Sequence, residues 1–458
     1  MQITQEAEGK SSLRWVFNAW WPLAASWMLM GMEAPLMSAV IARLAEPEIN
    51  MASYSGVVFP LALIVESPII MLLAASTALS KDLPSYQLLR KYMLSAGALL
   101  TGLHVLVAFT PLYYIVVAGI MGAQPEIIEP ARVGLMIMTP WTWSIAYRRF
   151  NQGVLIRFGR SKSVGMGTMV RLSANIVVLA IGFSLGSLPG IVIGSAAVAS
   201  GVMAEALYVS IVVRPVLREE LRLSPIVEPP LTWRFFWGFY IPLMLTSLLT
   251  LLANPIASAA INRLPLAIES LAIWLVITGL IFILRALGIA FNEVVVALLD
   301  TPGAYLSLRR FTILLALITT GLLLAIAATP LAQFWFRDIF ALRPELVLIA
   351  QRALWLALPL PALSVLQSWY QGTILNDGAT RGITESVVVY LLTSVVVLGF
   401  GIWHGKIIGL YIGLSALTLS VATQTFWLWL RARRILSDLG VRDRPPEGIA
   451  QFIEEMDA

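Results

Sequence analysis

Residues 148–162 read RRFNQGVLIRFGRSK, and residues 367–381 read QSWYQGTILNDGATR. With an offset of 219, Gln152-Gly153 falls on Gln371-Gly372, Gly159 on Gly378 and Lys162 on Arg381. The same offset lays Tyr86 on Tyr305, Arg90-Lys91 on Arg309-Arg310, Thr110-Pro111 on Thr329-Pro330, Pro125-Glu126 on Pro344-Glu345 and Pro140 on Pro359. Nearer the start the offset is 220, which lays Pro22-Leu23 on Pro242-Leu243, Pro35 on Pro255, Ser38-Ala39 on Ser258-Ala259 and Arg43-Leu44 on Arg263-Leu264. One indel aligns the chain with itself, so the fold is a duplicated unit.

The medium of that unit follows from composition. The chain has 458 residues, of which 59% are hydrophobic and 12% charged, and its mean hydropathy is +0.83. No water-soluble globule of ordinary composition reaches such values. Runs such as LPGIVIGSAAVASGVMAEALYVSIVV are apolar all round, which implies spanning helices and excludes barrel strands, where apolar and polar residues alternate. Twelve spans are expected, at 15-42, 51-79, 93-121, 133-156, 164-186, 190-213, 235-262, 270-299, 311-336, 346-375, 384-404 and 407-430. The first is a span and not a cleaved leader, because its Pro22-Leu23 and Pro35 elements recur in the interior.

The charged, Pro-rich RPVLREELRLSPIVEPPLTWR separates spans six and seven. The expected organisation is an N-tail at 1-14, an N-lobe at 15-222, a linker at 223-232, a C-lobe at 233-434 and a C-tail at 435-458. Six spans is an even number, so both lobes enter the bilayer from the same side and the repeat is parallel. The fold class is therefore an all-α polytopic membrane protein, with twelve transmembrane helices in two parallel pseudo-symmetric six-helix bundles.

Orientation follows from the basic residues. With the N-terminus inside, cytosolic segments hold twenty Lys and Arg and the opposite loops six, namely Arg43, Arg132, Arg263, Arg337, Arg343 and Lys406. This bias puts both termini in the cytosol of a multi-pass plasma-membrane protein. It also accounts for most of the +5 net charge. The cations punctuate apolar runs and form no single patch, which argues against a nucleic-acid partner. The expected partners are the lipid bilayer and a small-molecule substrate, with the chain acting as a monomer. Zero cysteines exclude disulfides, thiolate metal sites and cysteine nucleophiles.

The QGVLIRFG pattern ending span four, echoed by QGTILNDG ending span ten, resembles the multidrug-and-toxin-extrusion (MATE) fold and its wider flippase superfamily. Within that group, INMASYSGVVFPLALIVESPIIM and WPLAASWMLMGMEAPL most resemble the progressive ankylosis branch. The resemblance implies a twelve-helix transporter whose central cavity is lined mainly by spans one, two, seven and eight. For the ankylosis branch it also implies export of anionic metabolites. Physically, the motif reads as architecture: its glycines, Gly153 and Gly159 with Gly372 and Gly378, let a helix end turn sharply, and Gln152 or Gln371 satisfies backbone groups freed there.

An ionisable residue inside the membrane costs on the order of 2.5 to 3.5 kcal/mol, so each needs a partner, water or a function. The candidates for substrate binding or coupling are Glu33, Glu66, Arg148, Arg171, Arg285 and Glu293, with Thr250, Asn254 and Asn292 as polar neighbours. Offset 219 matches Glu66 with Arg285, and opposite charges at equal depth suggest either an ion pair or a jointly lined cavity. Glu33 lies midway along span one between Pro22 and Pro35, where a carboxylate suits a proton carrier; the alternative is neutralisation by Arg148 or Arg149. Thr246, Thr250 and Asn254 form an i, i+4, i+8 stripe that either lines a cavity or bonds helices together. Arg148 either acts in the site or snorkels, and Arg171 is placed to bind a phosphate or carboxylate bidentately.

These features predict a secondary active transporter working by alternating access, with no cofactor and with H+ or Na+ as coupling ion. It is expected to export a small organic or phosphate-containing anion. Multidrug extrusion and lipid-linked sugar flipping are alternatives on the same fold. An intramembrane hydrolase, suggested by GFSLG around Ser184 and by His104, lacks the strand-turn-helix that such a nucleophile needs. No Walker A loop is present, and two histidines supply no H-E-x-x-H zinc site.

Overall fold

A computed structural model describes residues 12–377 and 381–443. The expectation for Gly378 lies outside the described residues, as do most of those for the two tails, including Lys10 and Arg444 among the twenty cytosolic cations. Among the described residues the chain is helical throughout, with no strand. Each crossing is built from one to three helices. The N-half comprises α1 (Leu13–Gly31) and α2 (Glu33–Ile41), α3 (Pro47–Ser53), α4 (Phe59–Ile70) and α5 (Leu72–Leu79), and α6 (Leu83–Phe109). It continues with α7 (Pro125–Ile137) and α8 (Thr139–Arg157), α9 (Ser161–Leu185) and α10 (Gly190–Pro215). The C-half comprises α11 (Trp233–Ile261), α12 (Ala267–Leu298), α13 (Ala304–Ala328), α14 (Pro344–Leu356) and α15 (Leu360–Asn376), α16 (Arg381–His404) and α17 (Gly409–Arg442).

Ten of these crossings are long and apolar enough to span a membrane by composition alone. The other two are α7–α8, which carries Arg148, Arg149, Asn151 and Gln152, and α17, which continues to Arg442, beyond the span expected to end near residue 430. Twelve crossings bring Ser12 and Asp443 to one side of the bilayer, termed here the terminal side; the opposite is the far side.

The duplicated sequence produces duplicated local structure. Ser12 and Thr232 occupy equivalent positions and cap α1 and α11, each accepting from the N–H three residues on, at 3.3 Å. Gly186 and Gly405 end α9 and α16 with φ near +62° and +66°, a conformation that side chains disfavour. Of the motif's glycines, Gly159 makes the expected sharp turn just past the end of α8, with φ near +73°, whereas Gly153 and Gly372 lie inside helices. Gly153 lies within α8, where a Cβ would stand 2.5 Å from the Leu73 carbonyl oxygen; at Gly372, within α15, it would stand 2.7 Å from Val295. Both positions let a neighbouring helix approach closely.

Span one breaks at Met32. Pro35 has no N–H, and its ring crowds the carbonyl four residues back, at Gly31, so α1 ends there and α2 restarts at Glu33. Span two breaks again at Met71, three residues past Pro68. The equivalent α11, with Pro242 and Pro255, remains one helix, as does α12.

The break lets span one cross between the halves. Its far part packs on the N-half, where Gly190 and Gly194 of α10 adjoin Ile41 and Met37. Its terminal part leans on the C-half: Trp20 donates Nε1–H to the Leu287 carbonyl at 2.9 Å and meets the Phe311 ring at 5.5 Å. Span seven mirrors it. Tyr240, equivalent to Trp20, donates to the Pro68 carbonyl at 2.6 Å and meets Tyr92 at 4.9 Å. The acceptors Pro68 and Leu287, and the rings Tyr92 and Phe311, are themselves related by the offset of 219.

The far side is closed by a second reciprocal pair. Arg43 donates to the carbonyls of Asp338 and Ile339 at 2.8 and 2.6 Å. Arg263 donates to those of Ile120 and Met121 at 2.6 and 2.8 Å. Each guanidinium also returns to the carbonyl four residues back, at Ala39 or Ala259. The acceptors lie at the ends of two π-helical turns, Ile115–Ile120 and Phe334–Ile339, whose last carbonyls have no partner within the turn.

On the terminal side, Asp82 ties the linker down: it caps α6 through Ser85 N–H at 2.9 Å and accepts Val227 N–H at 2.8 Å. Burial pushes its carboxyl up, but the bonds from Ser85 and Val227 outweigh this and hold it below the usual carboxylate range. A depressed folded value means stability that is present above the unfolded pKa of about 3.9 and lost as pH falls through the folded one. Asp82→Ala is expected to lower stability by about 1–2 kcal/mol at neutral pH, with the difference shrinking below pH 4, as checked by melting in detergent.

Candidate functional site

The membrane-embedded charges gather in the N-half. Glu33, first residue of α2, is set beside α9 by the break at Met32. Its Oε2 pairs with Arg171 Nη2 at 2.7 Å, and its Oε1 accepts from Asn175 Nδ2 at 2.5 Å. One turn separates Arg171 and Asn175, so both face α2 from the same side of α9. The pair is partly accessible, with side chains 20% (Glu33) and 11% (Arg171) exposed. Arg148, on α8, is fully buried in an ion pair with Glu205 of α10, whose other oxygen accepts from Gln152 at 2.8 Å. Glu66 is buried on α4 with Oε2 unpartnered. The charges acting on it are those of Arg149, then Arg148, then Arg171. Three carboxylates and three guanidiniums thus share one bundle.

Several expectations are corrected by this geometry. Glu33 is neutralised by Arg171 with Asn175, not by Arg148 or Arg149. Arg148 does not snorkel to headgroups; Glu205, which the sequence left unassigned, holds it. Gln152 bonds that same carboxylate and not freed backbone. Glu66 and Arg285 form no ion pair among the described residues: each turns into its own half, Glu66 toward N-half arginines and Arg285 toward Tyr390. Equal depth on facing helices therefore did not become contact.

The C-half repeats the frame without the Arg148–Glu205 and Glu33–Arg171 ion pairs. Gln367 and Gln424 occupy the positions of Arg148 and Glu205, and Gln367 Nε2 donates to Gln424 Oε1 at 2.8 Å. Ala253, Tyr390 and Ser394 replace Glu33, Arg171 and Asn175. Where the N-half is filled by an ion pair, the C-half leaves a cavity of roughly 30 Å³ lined by Asn254, Trp274, Tyr390 and Ser394, among others. Arg285 stands in place of Glu66, half-buried, with Nε unpartnered and no carboxylate within ion-pair distance among the described residues.

The remaining candidates disperse. Thr250 is exposed and donates to the Thr246 carbonyl at 2.8 Å. Asn292 bonds the Ser368 carbonyl at 3.3 Å, joining α12 to α15. Glu293 is exposed near the terminal end of α12. Gln371 is half-buried beside Gly372. His104 is buried between Thr142 and the Leu135 carbonyl, at 2.8 and 2.9 Å. Ser184 donates to the Ala180 carbonyl at 2.8 Å, so the GFSLG serine is engaged by its own helix.

Two crossing spans, reciprocal closures and embedded ion pairs gathered in one half describe a two-lobe membrane fold of the MATE-like class. Comparison with solved structures agrees. The chain is similar to an inward-facing multidrug resistance MATE family transporter of the MOP superfamily (TM-score 0.67, 16% identity, 90% of this chain and 96% of that one). It is equally similar to the lipid II flippase MurJ in an inward closed conformation (0.67, 14%, 92% and 90%). An outward-facing MATE family transporter matches at 0.58, with 16% identity over 94% and 97%. No family model and no curated protein matches the chain. The MATE-like fold expected from the QG repeat is the one observed.

Proposed function

We propose that the chain is a secondary active transporter that works by alternating access, exporting a small organic or phosphate-containing anion against an inward proton or sodium gradient. The observation that carries the anion is Arg285, a membrane-embedded guanidinium without a carboxylate partner among the described residues, beside Tyr390, which itself lines the small cavity with Asn254, Trp274 and Ser394. An unpaired guanidinium at that depth calls for water or an anion. The ankylosis-like branch fits this substrate class. Both termini then face the cytosol, and the chain acts as a monomer in the plasma membrane.

Lipid-linked sugar flipping on the same fold is the second candidate, since the flippase likeness is as close as that to the MATE transporter. A lipid needs a lateral entrance. Both seams between the halves are bonded on the terminal side, by Trp20 to Leu287 and by Tyr240 to Pro68, which favours a small soluble cargo.

In this cycle Glu33 carries the coupling proton: its carboxylate is held by Arg171, leaves that pair when it takes up a proton from water, and returns to it when the proton is given back to water. Proteoliposomes tested with citrate, pyrophosphate and a cationic dye, under imposed proton or sodium gradients, decide the substrate class; transport of the dye alone would replace the anion by multidrug export. Glu33→Gln is expected to remove the response to an imposed pH gradient, while Arg285→Gln is expected to abolish anion transport with the proton response of Glu33 untouched. Retention of pH-driven transport by Glu33→Gln would reject the coupling role.

A further inference from the structure

On the far side, the end of α13 and the face of α14 enclose a surface groove of about 320 Å³, lined by Thr329, Gln333, Leu348, Gln351, Arg352 and Trp355 with their neighbours. Arg352 is exposed in it. No side-chain hydrogen bond or ion pair is made by Arg352, Gln333 or Gln351 among the described residues.

The duplication shows what this region looks like when it is self-satisfied. The N-half equivalents of Gln333, Leu348 and Gln351 are Tyr114, Glu129 and Arg132. Arg132 donates to Tyr114 Oη at 2.7 Å, and Tyr114 donates to Glu129 at 2.8 Å. Arg132 also reaches the carbonyls of Ala108 and Phe109, at 3.1 and 3.3 Å. That network closes the N-half groove with its own side chains. In the C-half the tyrosine and the carboxylate are absent and the cation has moved by one residue, to Arg352, onto the open face.

Depth identifies the missing partner. The crossing Pro344–Asn376 has 33 residues, about 50 Å of helix against a hydrocarbon core of about 30 Å. Arg352, eight residues from its far end, has its Cα about 12 Å along, close to the boundary of that core. Side chains lean toward a helix N-terminus, which here is the far end, so the guanidinium reaches back to the headgroup layer. Trp355, one turn deeper and exposed, has the amphipathic ring typical of this boundary.

We propose that this groove binds one phospholipid of the far leaflet, with Arg352 clasping the phosphodiester bidentately, Gln351 and Gln333 donating to the headgroup, and the acyl chains running inward along Trp355. The site is independent of the transported substrate. Native mass spectrometry of the full chain in detergent tests it, with phosphatidylglycerol, diacylglycerol and inorganic phosphate as probes. The wild type should retain one phosphatidylglycerol, bound about tenfold more weakly in Arg352→Gln, as expected for loss of a charge-assisted pair. Leu348→Glu places a carboxylate at the Glu129 position, one turn from Arg352, and should weaken the lipid similarly by occupying the guanidinium. Both substitutions lie on the exposed face, and unchanged melting temperatures confirm folding. Equal lipid retention by the folded variants, equal retention of diacylglycerol, or displacement of the lipid by inorganic phosphate would each overturn the proposal.

Discussion

Arg148→Gln alone is expected to destabilise the protein by about 3–5 kcal/mol, because it strands the buried Glu205 carboxylate without its countercharge. Arg148→Gln combined with Glu205→Gln is expected to restore stability nearly to wild type. The protein already contains this solution: Gln367 and Gln424 hold the equivalent helices together as a neutral amide pair at 2.8 Å. Buried ion pairs replaced whole by neutral groups of similar volume are often close to neutral in stability, whereas half-removed pairs are not. The double variant retains Arg149, the largest of the charges acting on Glu66, so transport should survive as well. Melting curves of both variants and one transport assay separate the alternatives. A double variant that folds but transports nothing would move Arg148 and Glu205 out of the scaffold and into the working site.

That pair also illustrates how much of the molecule can be read from its residues. The 219 offset lays Arg148 on Gln367 and Glu205 on Gln424, a joint change that signals partnership, yet the expectation for Arg148 is a site role or snorkelling and Glu205 has none, so the pair emerges only from the structure. Helix positions, the even number of crossings and the parallel halves followed from the same offset and from hydropathy. Which face each charge takes did not follow. Glu66 and Arg285 share a depth, but a turn of about 100° per residue decides whether a side chain looks across the seam or into its own bundle, and here both look inward. Asn175 gave no signal at all, being one of many polar residues in span five until the break at Met32 brings Glu33 to it.

The two lobes are joined symmetrically and charged asymmetrically, and this division suits a transporter. Rocking between two states needs equivalent contacts that break and form on both halves together, whereas selecting a cargo and an ion needs distinct groups. The terminal-side contacts of Trp20 and Tyr240 and the far-side contacts of Arg43 and Arg263 obey the two-fold relation. Arg285, unpaired, and the Glu33–Arg171 pair do not.

Loss of both far-side arginines should therefore shift the conformational balance more than any other surface change. Four bonds cross between the halves, two from each guanidinium. At about 1 kcal/mol net each, and discounted because both residues are exposed, they favour the closed far side by about 2 kcal/mol, or roughly thirtyfold in population. Arg43→Ala with Arg263→Ala is expected to populate a state open on the far side, and each single variant is expected to supply about half the shift. The chain has no cysteine, so spin labels can be placed cleanly at Glu126 and Glu345, equivalent exposed positions at the far ends of the two halves. The distance between them should lengthen or become bimodal in the double variant. Arg337→Ala serves as the control, because that exposed arginine pairs with its neighbour Asp338 and reaches nothing across the seam. A distance distribution unchanged by the double substitution would mean that the closed far side rests on the apolar packing of the helix ends, and that the guanidiniums merely cap two π-helical turns.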